Sequence, residues 1–326
     1  MRIAAATVVA VVVGGALAAT CASQPLVRAE KPEVPVPSVD PARLEAHVRA
    51  LAIDLHPRTH AAPAKLDAVA DWIRRALSPH GPVEDQPFVV EGRTYRNVIL
   101  RLGPGPENGT DERVIVGAHY DAALSLPGAD DDASGVAGLI ELAPLLAKAP
   151  LGVRVDLVAW TLEEPPYFAT PHMGSARHAR ALREAGVKVR AALSLEMIGA
   201  FSDAPGSQRF PAPGMSALYG DRGDFIAIVG RPSDRALLAR VKAAMMGATD
   251  LPVRSLAAPA IVQGVDWSDH RSYWAEGWTA VMITDTSFLR NARYHTAADT
   301  PDTLDYRRMA KVVEGTFAAV VALARQ

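Results

Sequence analysis

Cysteine is nearly absent from this chain. Cys21 is the single cysteine among 326 residues, so an internal disulfide cannot form. This excludes a small disulfide-stapled scaffold, and the fold must be held by an apolar core or by metal. The composition supports a core, because 49% of the residues are hydrophobic and 21% are charged. The length suits one large α/β domain or two small ones.

A surplus of basic charge is missing as well. The formal net charge is −2 and the pI is about 6.5. Lysine and arginine are scattered, and an arginine-rich stretch such as 177–183 is typical of a solvated helix face. Nucleic-acid binding requires cations clustered on one surface. We therefore expect no nucleic-acid partner.

The sequence begins with its longest apolar run. Arg2 precedes an uninterrupted stretch of apolar and small residues, 3–20. This length engages the export machinery but is short for a stable membrane span. We predict a signal peptide over residues 1–21 and an exported protein, periplasmic or extracellular. A retained N-terminal anchor is the alternative.

Cys21 ends this run in a context that partly resembles a bacterial lipoprotein signal. A lipid on Cys21 would attach the protein to the membrane, whereas ordinary cleavage near Ala18 or Ala22 would release it. Four prolines follow between residues 22 and 40, which indicates an extended tether without a core of its own.

From residue 41 the apolar spacing indicates regular structure. It predicts helices from Ala42 to Ile53 and from Leu66 to Leu77, then strands over 88–90 and 95–100 around a turn at Glu91-Gly92. From residue 113 onwards, strands alternate with helices. That alternation favours a largely parallel sheet covered on both faces.

Three of the apolar strands run directly into residues that can bind metal. Residues 114–118 lead into His119, residues 155–162 lead into Glu163-Glu164, and residues 193–195 lead into Glu196. In open α/β sheets, ligands gather at the carboxyl ends of the strands. If these strands are neighbours, their end residues meet at one edge.

Convergence of these side chains with Asp131 would be costly without a cation. Two carboxylates ~4 Å apart repel by ~4 kcal/mol at an effective dielectric of 20. Several such pairs exceed a folding margin of about 5–15 kcal/mol. Protonation relieves the repulsion, and so do divalent cations. Imidazole with carboxylate suits zinc, although this ligand set also fits manganese or cobalt.

The Glu163-Glu164 pair allows a division of roles. Adjacent side chains on extended backbone point in opposite directions, so both cannot readily bind one ion. One glutamate can coordinate while the other accepts a proton from metal-bound water. An isolated Glu-Glu pair is usually a solvated surface feature. Its position after a buried-looking strand strengthens the functional interpretation.

Two acidic segments have both a structural and a functional interpretation. The stretch Gly128–Val136 can be an acidic turn that caps a helix through Asp132 or Ser134, or it can carry a ligand at Asp131. The pattern His119-Tyr120-Asp121 would allow Asp121 to hydrogen-bond the far nitrogen of a metal-bound His119. As a bare pattern it occurs by chance in most proteins.

Taken together, five motifs resemble the M28 family of zinc peptidases, which includes bacterial aminopeptidases and the related glutaminyl cyclases. The resemblance covers about residues 40–326. The motifs are Gly117-Ala118-His119-Tyr120-Asp121, Gly-Ala-Asp-Asp-Asp-Ala-Ser-Gly at 128–135, Glu163-Glu164, Leu195-Glu196-Met197-Ile198-Gly199, and Tyr-His-Thr-Ala-Ala-Asp-Thr at 294–300.

The resemblance implies a zinc-exopeptidase fold over 41–326, a three-layer α/β/α domain with a central mixed, mostly parallel sheet. It also implies two zinc ions bridged by Asp131, whose bond to Asp132 is expected to be cis. His119 and Glu196 would complete one metal site, and Glu164 and His295 the other.

Further roles follow from the same resemblance. Glu163 would be the general base, Asp121 would support His119, and Tyr294 would hydrogen-bond the tetrahedral intermediate. Ser268-Asp269-His270 resembles a further family motif, in which Asp269 is expected to be supporting. One departure stands out, because the position of Glu196 is most often aspartate in this family. The longer side chain predicts a retained site with altered geometry.

The sequence therefore predicts an aminopeptidase that removes N-terminal residues of peptides through a metal-bridged water. A glutaminyl cyclase on the same fold is the first alternative, and a binding module that has lost catalysis is the second. A purely structural lipoprotein is the third. The remaining histidines receive no chemistry, and His47, His80 and His178 are expected on helical or turn surfaces.

Overall fold

The computed structural model describes residues 23–106 and 111–325. The predicted signal peptide and Cys21 lie outside these residues. Within them, no helix is both long and apolar enough to cross a membrane.

The strands are β1 Val83–Val90, β2 Arg93–Leu102, β3 Glu112–His119, β4 Arg154–Trp160, β5 Lys188–Glu196, β6 Ile226–Gly230, β7 Val253–Ala257 and β8 Ala280–Thr284. The helices are α1 Pro41–Arg49, α2 Pro63–Leu77, α3 Gly135–Leu146, α4 Gly174–Glu184, α5 Ser216–Tyr219, α6 Arg235–Ala248, α7 His270–Ala275 and α8 Tyr306–Ala324.

The eight strands form one mixed sheet in the order β1-β2-β4-β3-β5-β8-β6-β7. The central strands β4, β3, β5 and β8 run parallel, whereas β1, β2 and β6 introduce antiparallel pairs. The β1–β2 hairpin turns at Glu91-Gly92 as predicted, with positive φ at both turn residues. The strands expected to carry the ligands are therefore neighbours.

Helices cover both faces of the sheet. Along β3, Val114 and Val116 belong to the core beneath α1, α2, α3, α6 and α8, whereas Ile115 belongs to the core beneath α4 and α7. This alternation follows from the two-residue period of a strand buried on both faces. The predicted three-layer α/β/α architecture is confirmed.

Residues in and just before the first turn account for the starts of the first two helices. The Asp40 side chain accepts a hydrogen bond from the Ala42 amide, and proline occupies the first turn of both α1 and α2. The predicted periodicity fails at Ile53, which is 55% exposed. Beyond Arg49 the chain widens into a π-helical turn over Ala50–Asp54, and this shifts Ile53 away from the core.

The proline-rich segment lies extended against the domain. The Glu30 amide donates to the Ala243 carbonyl at 2.9 Å, and Lys242 Nζ donates to the carbonyl of Pro25 at 3.1 Å. At its other end, the Val39 amide donates to Glu314 Oε1 at 2.9 Å. The segment predicted to be a tether is thus docked on α6 and α8 over residues 24–39.

The expectation for His178 is wrong, because this histidine is buried. It lies on the face of α4 that packs against α7, and its Nδ1 is 2.7 Å from the Tyr273 hydroxyl. Burial lowers the pKa of His178 to about 3. Flanking arginines make the local sequence look solvated, and only the packing of the two helices reveals the buried face.

This burial predicts acid sensitivity. The folded-state pKa of His178 lies below its unfolded value of about 6.5, so its stabilising contribution is present above pH 6.5 and is lost as pH falls towards 3. We expect His178→Gln to flatten the fall in unfolding free energy by about 1.4 kcal/mol per pH unit in this window. Urea unfolding from pH 4 to 7 measures the slope. Parallel slopes for the two proteins would contradict the assignment.

Candidate metal centre

The site forms where three parallel strands end side by side. His119 is the last residue of β3 and Glu196 is the last residue of β5, while Glu163 and Glu164 follow β4 after a short turn. Strand β3 pairs with β4 on one side and with β5 on the other. The sheet thus places His119 between the carboxylates that lie at the ends of β4 and β5.

Asp131 lies between the two histidines. Its Oδ1 is 3.3 Å from His119 Nε2, and its Oδ2 is 3.0 Å from His295 Nε2. Glu196 Oε2 lies 3.5 Å from His119 Nε2, and Glu164 Oε2 lies 3.2 Å from His295 Nε2. The five residues therefore form two groups that share one carboxylate. The Asp131–Asp132 peptide bond is cis, as the resemblance implied.

The electrostatics of this cluster fit cations. Burial raises the pKa of Glu163 well above its usual range and that of Glu164 to about 7. Burial opposes charge on His295, but Asp131 and Glu164 outweigh it and raise the pKa of His295 to about 10. Among the described residues, the buried His119 Nε2 and Glu164 Oε1 lack a hydrogen-bond partner. Buried nitrogen and oxygen atoms without hydrogen-bond partners are suitable ligands for a metal ion.

Asp132 fits a structural role rather than a ligand role. Ligand atoms of His119, Asp132 and Glu196 lie within 4.8 Å of one another, as do those of His119, Asp131 and Glu164. The Asp132 carboxylate, however, accepts hydrogen bonds from the amides of His119, Gly135 and Met197 at 3.0–3.2 Å. It joins β3, the start of α3 and the end of β5, so its oxygens are already engaged.

Asp299 connects the two loops that carry Asp131 and His295. Its carboxylate accepts from the Asp130 amide at 3.0 Å and from the Asp131 amide at 3.2 Å. Burial raises the pKa of Asp299 to about 7. Because Asp299 belongs to the same short motif as His295, this contact fixes the distance between the shared carboxylate and the second histidine.

Asp121 contacts both His119 and the glutamate pair. The nearest partner of His119 Nδ1 is the backbone carbonyl of Asp121, at 3.1 Å, whereas the Asp121 carboxylate is 3.7 Å away. That carboxylate accepts from the amides of Glu163 and Glu164 at 3.2 and 3.1 Å. The turn after β4 presents two free amides to it, so Asp121 positions the glutamate pair.

Three of the eight non-glycine residues with positive φ in the described part of the chain lie at these side chains. Leu162, Met197 and His295 have φ values of 60°, 51° and 54°. Residues other than glycine rarely adopt this left-handed region, and such outliers cluster at functional sites. The first two directly adjoin Glu163 and Glu196, and the third is itself a site residue.

Ser268 belongs to a motif identified in the sequence, but a role was expected only for the neighbouring Asp269. Its hydroxyl donates to Glu196 Oε2 at 2.8 Å and lies 2.9 Å from the hydroxyl of Ser194. The neighbouring Asp269 is fully buried, and burial raises its pKa to about 7. Ser268 thus fixes the carboxylate of the unusually long Glu196 side chain.

Arg58 is a second residue of the site to which the sequence assigned no role. This fully buried guanidinium donates to the carbonyls of Leu51, Tyr120, Pro127 and Gly128 at 2.8–3.0 Å. Burial lowers the pKa of Arg58, although the nearby carboxylates of Asp299 and Asp131 oppose this. Arg58 therefore ties the His119 loop to the Asp131 loop. The sequence shows only His56-Pro57-Arg58, which does not reveal burial.

Two cavities meet beside the five residues. A cleft of about 210 Å³ contains Asp131, Glu163, Glu164, Glu196 and His295. A second cavity of about 80 Å³ is lined mainly by apolar side chains, including Phe210, Met215, Phe225 and Met282. Tyr294 lines both cavities, and its ring stacks on His295 at 3.9 Å between centroids.

Comparison with known proteins agrees with this geometry. The profile of Peptidase family M28 matches residues 97–320. The chain belongs to Peptidase family M28. "Uncharacterized protein YfbL" of Escherichia coli strain K12 is 44% identical over 85% of this chain and 86% of that protein. A "Probable zinc metalloprotease" of Pyricularia oryzae is 28% identical over 88% of this chain, which spans 64% of that protein.

Solved structures of M28-type proteins share the fold. BSAP, a zinc aminopeptidase from Bacillus subtilis, superposes with a TM-score of 0.70 at 14% identity, covering 90% of this chain and 97% of that one. Fimbriiglobus ruber glutaminyl cyclase superposes with a TM-score of 0.66 at 21% identity, covering 91% and 99%. The M28 fold thus supports two reactions, and the cluster in this chain fits a metal site.

We expect Arg58→Lys to weaken metal binding about 10–100-fold, because a lysine cannot satisfy four carbonyls and the two ligand loops would separate. Titration of the metal-free protein against a chromogenic zinc chelator measures this. Arg113→Lys is the matched control. Arg113 is a buried arginine at the opposite end of β3, bonded to Asp111 and Asp156. Equal zinc affinity for Arg58→Lys and the unmodified protein would contradict the assignment.

Proposed function

We propose that this M28 peptidase is an aminopeptidase that uses two zinc ions to hydrolyse the first peptide bond of its substrates. The position of Asp131 is the observation that carries the proposal, since one oxygen faces each histidine. His119, Asp131 and Glu196 would hold one ion, and Asp131, Glu164 and His295 the other. When bound, these ions would lower the pKa of a water ligand and polarise the scissile carbonyl.

Glu163 is the proposed general base. Its side chain is buried and lines the cleft, and its Oε2 lies 3.9 Å from His119 Nε2. Its neighbour Glu164 lies within 3.2 Å of the other histidine, so the two glutamates serve different positions. As a carboxylate beside the proposed metal ligands, Glu163 would accept a proton from the attacking water. It would then deliver that proton to the leaving amine.

Tyr294 is the proposed donor to the oxyanion. Burial and the surrounding carboxylates raise the pKa of its hydroxyl, which keeps the proton on the oxygen. The stacked contact with His295 fixes the ring at the border of the two cavities. A fixed donor at this point would stabilise negative charge on the carbonyl oxygen.

The apolar cavity indicates the class of N-terminal residue. Its walls are formed mainly by side chains such as Phe210, Phe225 and Met282, and it adjoins Glu196 and Tyr294. A volume of about 80 Å³ is several times what one water needs. We therefore propose a preference for leucine-like or aromatic N-terminal residues.

We expect Glu163→Gln to lower kcat by about 10²–10⁴-fold, because the amide keeps the shape but cannot accept the proton. Hydrolysis of leucinamide by zinc-reconstituted protein measures the change, and the zinc content should stay constant. Glu141→Gln is the control, since Glu141 is equally buried but pairs with Arg43 and His47 away from the cleft. Unchanged kcat in Glu163→Gln would exclude the proposed base.

Metal content separates the aminopeptidase from a glutaminyl cyclase with one zinc ion. We expect about two zinc ions per chain by plasma mass spectrometry and about one in His295→Ala, because only the Glu164 group loses a ligand. His178→Gln should retain both ions, since that buried histidine contacts Tyr273 instead. A single ion in the unmodified protein, together with cyclisation of a glutaminyl peptide, would favour the alternative.

A further inference from the structure

Trp267 stands where the two cavities meet. Together with Glu196 and Tyr294, it lines both the metal cleft and the apolar cavity. It is 40% exposed, although most aromatic side chains of the described residues are buried or half-buried. Because this partly open indole lines both cavities, it can contact a ligand that occupies either of them.

An aromatic row holds the Trp267 indole in place. Its ring centroid lies 5.1 Å from that of Phe288, and Phe288 lies 6.1 Å from Tyr294. Tyr294 in turn stacks on His295 at 3.9 Å. The row therefore runs from solvent to a proposed metal ligand. An indole fixed in this way loses little conformational entropy when it contacts a ligand.

A second aromatic side chain lines the cleft. Phe168 and Pro165 follow the glutamate pair and line the same cleft as Trp267. Phe168 is itself held by Arg271, whose guanidinium lies 4.9 Å from the ring centroid. Apolar groups from two separate loops thus border the cleft that contains the proposed metal ligands.

The two cavities suit the two sides of a scissile bond. The N-terminal residue of a peptide ends in its own amine, so its side chain can occupy the mainly apolar cavity. The rest of the peptide must continue away from the proposed metal ligands, and the cleft that these residues share with Phe168 and Trp267 provides that room. The residue after the scissile bond would then pass between Phe168 and Trp267.

We infer that Trp267, with Phe168, forms the subsite for the residue that follows the scissile bond and selects large apolar or aromatic side chains there. This inference rests on the proposed aminopeptidase function. It adds a specificity-determining contact on the leaving side of the bond, separate from the pocket for the N-terminal residue.

The test compares kcat/KM for Leu-Phe, Leu-Ala and leucinamide with zinc-reconstituted protein. We expect the unmodified protein to prefer Leu-Phe over Leu-Ala, and Trp267→Ala to reduce that preference about tenfold. Trp267→Phe should restore most of it, because the ring remains available for stacking. Ile261→Ala is the matched control. Ile261 lies in the same loop, is 93% exposed and is not among the described residues that line either cavity.

The outcomes separate this inference from the proposed function. If the unmodified protein hydrolyses none of the three substrates, the aminopeptidase proposal itself fails. If it hydrolyses them but Trp267→Ala lowers kcat/KM equally for all three at constant zinc content, the subsite is overturned. An unchanged Leu-Phe preference in Trp267→Ala also overturns it, whereas selective loss with rescue by Trp267→Phe supports it.

Discussion

Mutual repulsion between buried carboxylates is the constraint on which the rest of the site depends. Asp131, Glu163, Glu164 and Glu196 are each at least 94% buried within one cluster. Burial raises the pKa of the three glutamates, and the carboxylates raise the pKa of His119 and His295. Protons and metal ions therefore compete for the same atoms, and binding of a cation would release protons.

The residues that position this cluster direct their polar groups at other protein atoms rather than at the proposed metal sites. Asp132 and Asp121 direct their carboxylates at backbone amides, Ser268 donates to Glu196, and Arg58 is surrounded by carbonyls. Each contact joins segments that are distant in sequence. Such contacts orient ligands that would otherwise move apart under their own charge, which is the usual role of the residues behind a metal site. The loop that carries His295, whose φ angle is strained, is held separately, because Asp299 in this loop accepts from the Asp130 and Asp131 amides.

The fold alone does not decide the reaction. Structures of a zinc aminopeptidase and of a glutaminyl cyclase superpose on this chain about equally well, with TM-scores of 0.70 and 0.66. What distinguishes such proteins must lie in the ligand set and in the cavities beside it. In this chain Asp131 stands between two histidines, and Trp267 lines both cavities beside them.

The sequence determined the layers and the residue types at the strand ends. Apolar runs that lead into His119, Glu163-Glu164 and Glu196 are local patterns, and their period and length predict strands buried on both faces. The M28 motifs likewise specified the pairing of His119 and His295 around Asp131. These features can be recognised in the sequence because each run or motif consists of only a few consecutive residues.

Tertiary structure alone decided which polar residues are buried and what they contact. His178 and Arg58 look like surface residues in the sequence, yet packing of α4 on α7 buries the first and two ligand loops enclose the second. The Asp121 carboxylate, expected to support the His119 ring, lies 3.7 Å from His119 Nδ1 and also accepts from two amides of the turn after β4. The cavity wall at Trp267 also combines distant segments. Such contacts depend on the relative position of elements far apart in the chain, and no local pattern encodes that position.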